Sequence, residues 1–148
     1  MAYKYKLETL LGIRQRIEEQ VQYKLAHEIF VLDNHKLFLE KLRKERQKLI
    51  AEIEEKKRTT LPVSLYTFYC ESLQNMDRQI EFQINTLQTQ EHIVGQVRKE
   101  LEEKSRDKQI VERMKEKDYL EYVREVTRKE HKELDELTVL RFGQGRIL

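Results

Sequence analysis

Thr59-Thr60-Leu61-Pro62-Val63-Ser64 is the break between two long runs, Leu7 to Ile53 and Tyr66 to Tyr122, in which apolar residues recur at alternating steps of three and four. Such spacing places one apolar stripe along a helix. Pro62 disfavours helix for Leu61 and suits the first turn of the helix that follows. The stretch therefore reads as the bend of a helical hairpin whose two arms wind on each other.

Upstream of the bend the stripe is Leu7, Leu10, Arg14, Ile17, Val21, Leu25, Glu28, Leu32, His35, Leu39, Leu42, Arg46, Leu49 and Ile53. Ten of these fourteen are apolar, and the mean step is near the roughly 3.5 residues of a left-handed coiled coil. Two successive steps of four, Ile17 to Val21 to Leu25, resemble a stutter that locally unwinds the supercoil. Downstream the stripe is Tyr66, Tyr69, Leu73, Met76, Ile80, Gln83, Leu87, Gln90, Val94, Val97, Leu101, Lys104, Lys108, Val111, Lys115, Asp118 and Tyr122. Every residue from Glu102 to Gln109 is polar. Helix can continue there because Glu, Lys, Arg and Gln are strong helix formers, with contacts thin or made by side-chain stems.

The expected architecture is all-α: a two-helix antiparallel coiled-coil hairpin with a longer second helix. It is one coiled-coil domain over 1–148, with the first helix at about 3–58, the turn at 59–64, the second helix at about 65–140 and a short tail at 141–148. At about 1.5 Å per residue the arms would span roughly 80 Å and over 100 Å. Folding about residue 61 sets Ile53 near Tyr69 and Leu7 near Lys115. Beyond about residue 118 the second arm lacks a partner, so Tyr119, Leu120, Val123, Val126, Leu134, Leu137 and Leu140 form an apolar stripe with nothing over it.

Composition fits a helical rod: one proline, four glycines, no tryptophan and 38% charged residues. Glu40 with Lys44 and Glu52 with Lys56 support helix at i,i+4, whereas Glu112 with Glu116 opposes it slightly. No segment has the roughly 18 apolar residues of a membrane span, and the N-terminus lacks the apolar core of a signal peptide. A cytoplasmic location is expected. Cys70, the only cysteine, excludes an internal disulfide and reads as a small filler beside the seam.

Catalytic constellations are missing. Gly12 and Gly95 stand alone in helical patterns, and Gly143-Gln144-Gly145-Arg146 has no strand before it, which excludes a phosphate-cradling loop. His27, His35, His92 and His131 have no metal-ligand spacing, and Glu130, His131, Glu133, Asp135 and Glu136 crowd a segment with no pocket. Neither a cofactor nor an enzymatic activity is expected. Twenty-nine Lys and Arg are nearly cancelled by 27 acids, leaving +2, so a phosphate-tracking face for nucleic acid is disfavoured.

Charge is uneven: net +4 over residues 1–60, −2 over 61–100 and 0 over 101–148. The middle segment instead carries Gln74, Asn75, Gln79, Gln83, Asn85, Gln88, Gln90 and Gln96, with Tyr66, Phe68, Tyr69 and Phe82 nearby. Low charge and aromatic enrichment suit a protein interface. Two contact regions follow, the turn end and the open end. The alternative is that Tyr66 and Tyr69 belong to the seam and the amides face water.

Three segments carry a family resemblance: Tyr5-Lys6-Leu7-Glu8-Thr9-Leu10-Leu11-Gly12-Ile13-Arg14; the stretch from Tyr69 to Leu87; and Val111-Glu112-Arg113-Met114-Lys115-Glu116-Lys117 with Lys132-Glu133-Leu134-Asp135-Glu136. Their order and spacing resemble the FliJ family of flagellar type III export proteins. The resemblance implies a stalk-like coiled coil that enters the hexameric ring of the export ATPase, promotes its activity, reaches the membrane export gate with its turn end and is linked to export chaperones. Such a protein would be peripheral at the cytoplasmic face of the inner membrane through its partners. Carried over by position, the gate contact falls on Tyr69, Leu73, Met76 and Ile80, all four of which lie on the seam by spacing. The ring-facing end involves Leu7, Leu10, Arg14, Arg113, Lys115, Lys117, Glu133 and Asp135. A generic coiled-coil adaptor or scaffold is the alternative.

Overall fold

The computed structural model describes the backbone of residues 2–147 and the side chains of residues 2–143. It holds two helices, α1 (Glu8–Lys57) and α2 (Val63–Ile147), and no strand among the described residues. The fold is an all-α helical hairpin with the longer helix second. The chain divides into two compact units, one of residues 20–102 and the other of residues 1–19 with 103–148.

The unit of residues 20–102 contains the turn. Its apolar core is Val21, Leu32, Leu39, Leu42, Tyr69, Val94 and Val97, all members of the two stripes. Buried Gln83 and Gln90 interrupt this core at a spacing of one heptad. Gln83 Nε2 donates to the His35 carbonyl at 3.1 Å, and Gln90 Nε2 donates to the Glu28 carbonyl at 3.0 Å and to Glu28 Oε2 at 2.6 Å. Satisfied polar groups in a seam select one register over its slipped alternatives. The amides Gln74, Asn75, Gln79, Asn85, Gln88 and Gln96 are exposed.

At the turn, the Pro62 carbonyl accepts the Tyr66 N–H at 3.0 Å, so α2 begins at Val63, directly after the proline and earlier than the expected 65. The end of α1 tightens, with Arg58 N–H donating to the Glu55 carbonyl and Thr59 N–H to that of Lys56. Such three-residue closures satisfy carbonyls left without partners at a helix end. Tyr66 departs from the seam and is exposed, its ring 5.5 Å from Lys57 Nζ.

The other unit pairs the first residues of the chain with the α2 segment from Glu103. Val111, at 1% exposure, is its fully buried apolar residue, and polar links supply much of the rest. Lys108 Nζ meets Glu18 Oε1 at 2.9 Å, Lys115 Nζ meets Glu8 Oε2 at 2.9 Å, and Arg14 Nη1 donates to the Asp107 carbonyl at 2.7 Å. Lys104, Ser105, Asp107 and Lys108 are half-buried, which is how the wholly polar stretch keeps its contacts.

Both outer boundaries differ from expectation. Helix α1 starts at Glu8, not near residue 3, because the Tyr3 and Tyr5 side chains lie across α2: Tyr5 donates to the Val111 carbonyl at 3.3 Å, and Tyr3 to Asp118 Oδ2 at 2.9 Å. Helix α2 continues through the expected tail to Ile147. A helical glycine costs only about 1 kcal/mol relative to alanine, and no residue with positive φ is found among those described. The side chains of Gln144 to Arg146, in the run Gly143 to Arg146, lie outside the described residues, as does Leu148.

Candidate partner-binding surfaces

Near the turn, the sequence-derived gate residues lie on the buried side of α2. Tyr69 is 5% exposed, and Leu73, Met76 and Ile80 are half-buried. The Tyr69 hydroxyl accepts from Lys56 Nζ and donates to Glu52 Oε1 at 3.2 Å, and the Lys56 ammonium is pushed up by that hydrogen bond. Tyr69 is thus anchored in the seam, leaving Leu73, Met76 and Ile80 only an edge to offer. The exposed apolar surface here belongs to Val63, Tyr66 and Phe68, with Phe82 further along. Cys70 is half-buried beside the seam.

In the unit formed by the chain ends, Leu7, Leu10 and Arg14 are half-buried, as is Lys115, which is paired to Glu8. Arg113, Lys117, Glu133 and Asp135 are exposed. The first four knit the pairing and the last four face solvent. From Val123 to Phe142 every residue of α2 is exposed, including Leu134, Leu137 and Leu140. Exposed apolar residues repeated along one helix make this a candidate interaction surface.

Apolar spacing does not reveal the N-terminal strap. The Tyr3 ring packs edge-on against Tyr119 and tilted against Tyr122, each at 5.2 Å. Partial burial, and then the hydrogen bond to Asp118, push the Tyr3 phenol up to about 12. Because the folded state holds this proton more tightly than the unfolded chain, the contribution of the strap is complete below about pH 10 and is lost as pH rises through about 12. Ultraviolet titration of tyrosinate should show one late-ionising tyrosine that Tyr3→Phe removes; a titration unchanged by that substitution would contradict the contact. Nor does spacing reveal Glu18, which is buried against Lys108. The Lys108 ammonium is pushed up by its hydrogen bond to Glu18.

Among the described residues no cluster of His, Cys, Asp and Glu could hold a metal ion, and no helix is long and apolar enough to cross a membrane. His35 and His92 each contact a glutamine, Gln83 and Gln96, at 3.2 Å.

Comparison with known families matches the model of the flagellar FliJ protein over residues 3–146. Searches of curated proteins and of solved structures return no significant match. With its hairpin and nearly its whole length matched, the chain belongs to the FliJ family, and so is a component of the flagellar type III export apparatus.

Proposed function

We propose that this chain is the stalk-like element of the export ATPase. Its paired ends and the following stretch of α2 enter the hexameric ring, its turn reaches the membrane export gate, and its exposed helical faces meet export chaperones. The observation that carries this reading is the unpartnered part of α2. From Val123 to Phe142 an apolar stripe is flanked by Arg124, Glu125, Arg128, Lys129, Glu133 and Asp135, all exposed. Mixed charges in solvent form and break contacts at little desolvation cost, which suits a shaft that faces different subunits in turn. Arg113 and Lys117 add to the ring-facing set, while Leu7, Leu10, Arg14 and Lys115 act by holding the ends together.

At the turn, the proposed gate contact combines the exposed Tyr66 and Phe68 with the edges of Leu73, Met76 and Ile80, over a Tyr69 that positions them. The protein holds its place at the cytoplasmic face of the inner membrane through these partners, and its own role is not catalytic. Mixing it with the purified cognate ATPase before size-exclusion chromatography tests the reading: it should co-elute with the hexamer. Separate elution at micromolar concentrations would instead favour a generic adaptor.

A further inference from the structure

Six residues of the exposed stripe of α2 are placed symmetrically about Glu130, while Tyr119, which packs on Tyr3, falls opposite Arg141 and lies outside that symmetry. Leu120 and Leu140 lie ten residues either side of Glu130, Val123 and Leu137 seven, and Val126 and Leu134 four. All six are exposed, from 36% at Val126 to 62% at Leu140. At about 100° per residue, four of them lie within roughly 40° of Glu130 around the helix, and Leu120 and Leu140 lie at roughly 80° on opposite sides, so Glu130 marks the centre of the stripe.

We propose that two copies of this chain associate through residues 120–140, antiparallel, with the twofold axis at Glu130. A twofold interface must be self-complementary, and palindromic spacing supplies that property. Reversing the helix about Glu130 sets Leu120 level with Leu140 of the second copy, Val123 with Leu137, and Val126 with Leu134. In each layer the two residues lean to opposite sides of the seam and fill it alternately, as in antiparallel coiled coils. Charge agrees: Lys129 comes within a turn of Glu133 of the second copy on the same side of the seam, twice by symmetry. An asymmetric partner would need no such symmetry in this chain.

Glu130 meets its twin on the axis. A lone polar residue at the centre of a seam weakens association while fixing register and orientation. The dimer is therefore reversible, and it uses the face proposed above for the ATPase ring, so the two associations exclude each other.

Sedimentation equilibrium of the full chain, without the ATPase, tests this. The average mass should rise from monomer to dimer with concentration. Leu134→Asp with Leu137→Asp should hold it at monomer with unchanged helicity, and Glu130→Leu should tighten the dimer at least tenfold. In a Cys70→Ser background, Glu130→Cys should oxidise to a disulfide-linked dimer, whereas Arg128→Cys, on the opposite face, should not. A monomer at all concentrations, a dimer indifferent to the Leu134 and Leu137 changes, or equal cross-linking at 128 and 130 would overturn the proposal.

Discussion

Replacing Val111 with aspartate should cost about 3–4 kcal/mol and unfold one unit of the molecule selectively. Val111 is 1% exposed and is the fully buried apolar side chain of the unit built from residues 1–19 and 103–148. Its loss removes about 1.5 kcal/mol or more of apolar burial, and the carboxylate that replaces it needs solvation that the site withholds. Lys108 and Lys115, one turn away on the same helix, already serve Glu18 and Glu8, so a new carboxylate would compete with those pairs and not add to them. The unit of residues 20–102 holds seven buried apolar residues of its own. Backbone hydrogen exchange should accelerate strongly at residues 8–19 and 103–115 and little at 32–42 and 83–97, the pattern of local opening. Uniform acceleration along both helices would show that the two regions open as one.

Most of the fold is legible in the sequence because a two-helix seam repeats one simple relation. All fourteen residues of the first stripe are buried or half-buried, and in the second only Tyr66 is exposed. Tyr66 fails because it sits in the first turn of α2, where a periodic count cannot tell that α1 has ended. The polar seam was harder to read. Glu18 follows Ile17 at the stutter, and its burial depends on Lys108 opposite, a pairing that hydropathy does not register. Lys108, a charged residue at a seam position, was the available signal.

The strap escaped for a different reason. Tyr3-Lys4-Tyr5 alternates with a period of two, the mark of extended backbone, yet it abuts a strong helical pattern that masks it. What decides its course is tertiary: Val111, Asp118, Tyr119 and Tyr122 lie more than a hundred residues away in sequence. Surfaces are less legible than the seam, since spacing tells which residues pack but not what a partner prefers. Spacing sets Tyr69, Leu73, Met76 and Ile80 on the seam while the family resemblance sets them at the gate contact, and their burial leaves the exposed area to Val63, Tyr66 and Phe68.

The second large effect concerns a partner's turnover. A shaft changes the cycle of a ring only if it binds the ring's open and closed states with different free energies. A difference of about 1.4 kcal/mol between states shifts their ratio tenfold. A few contacts from the charged, exposed stretch beyond Tyr122 can supply that much. On the proposed reading the chain therefore hydrolyses no ATP itself yet raises hydrolysis by the cognate export ATPase several-fold. Truncation after Tyr122 should abolish the increase while leaving the seam of residues 20–102 folded.

Steady-state hydrolysis by the purified export ATPase, followed while this chain is titrated in, tests the stalk reading most directly. The account predicts a saturable several-fold rise that the truncated chain does not produce. Equal turnover with and without the chain, at concentrations where the ring is assembled, would contradict it.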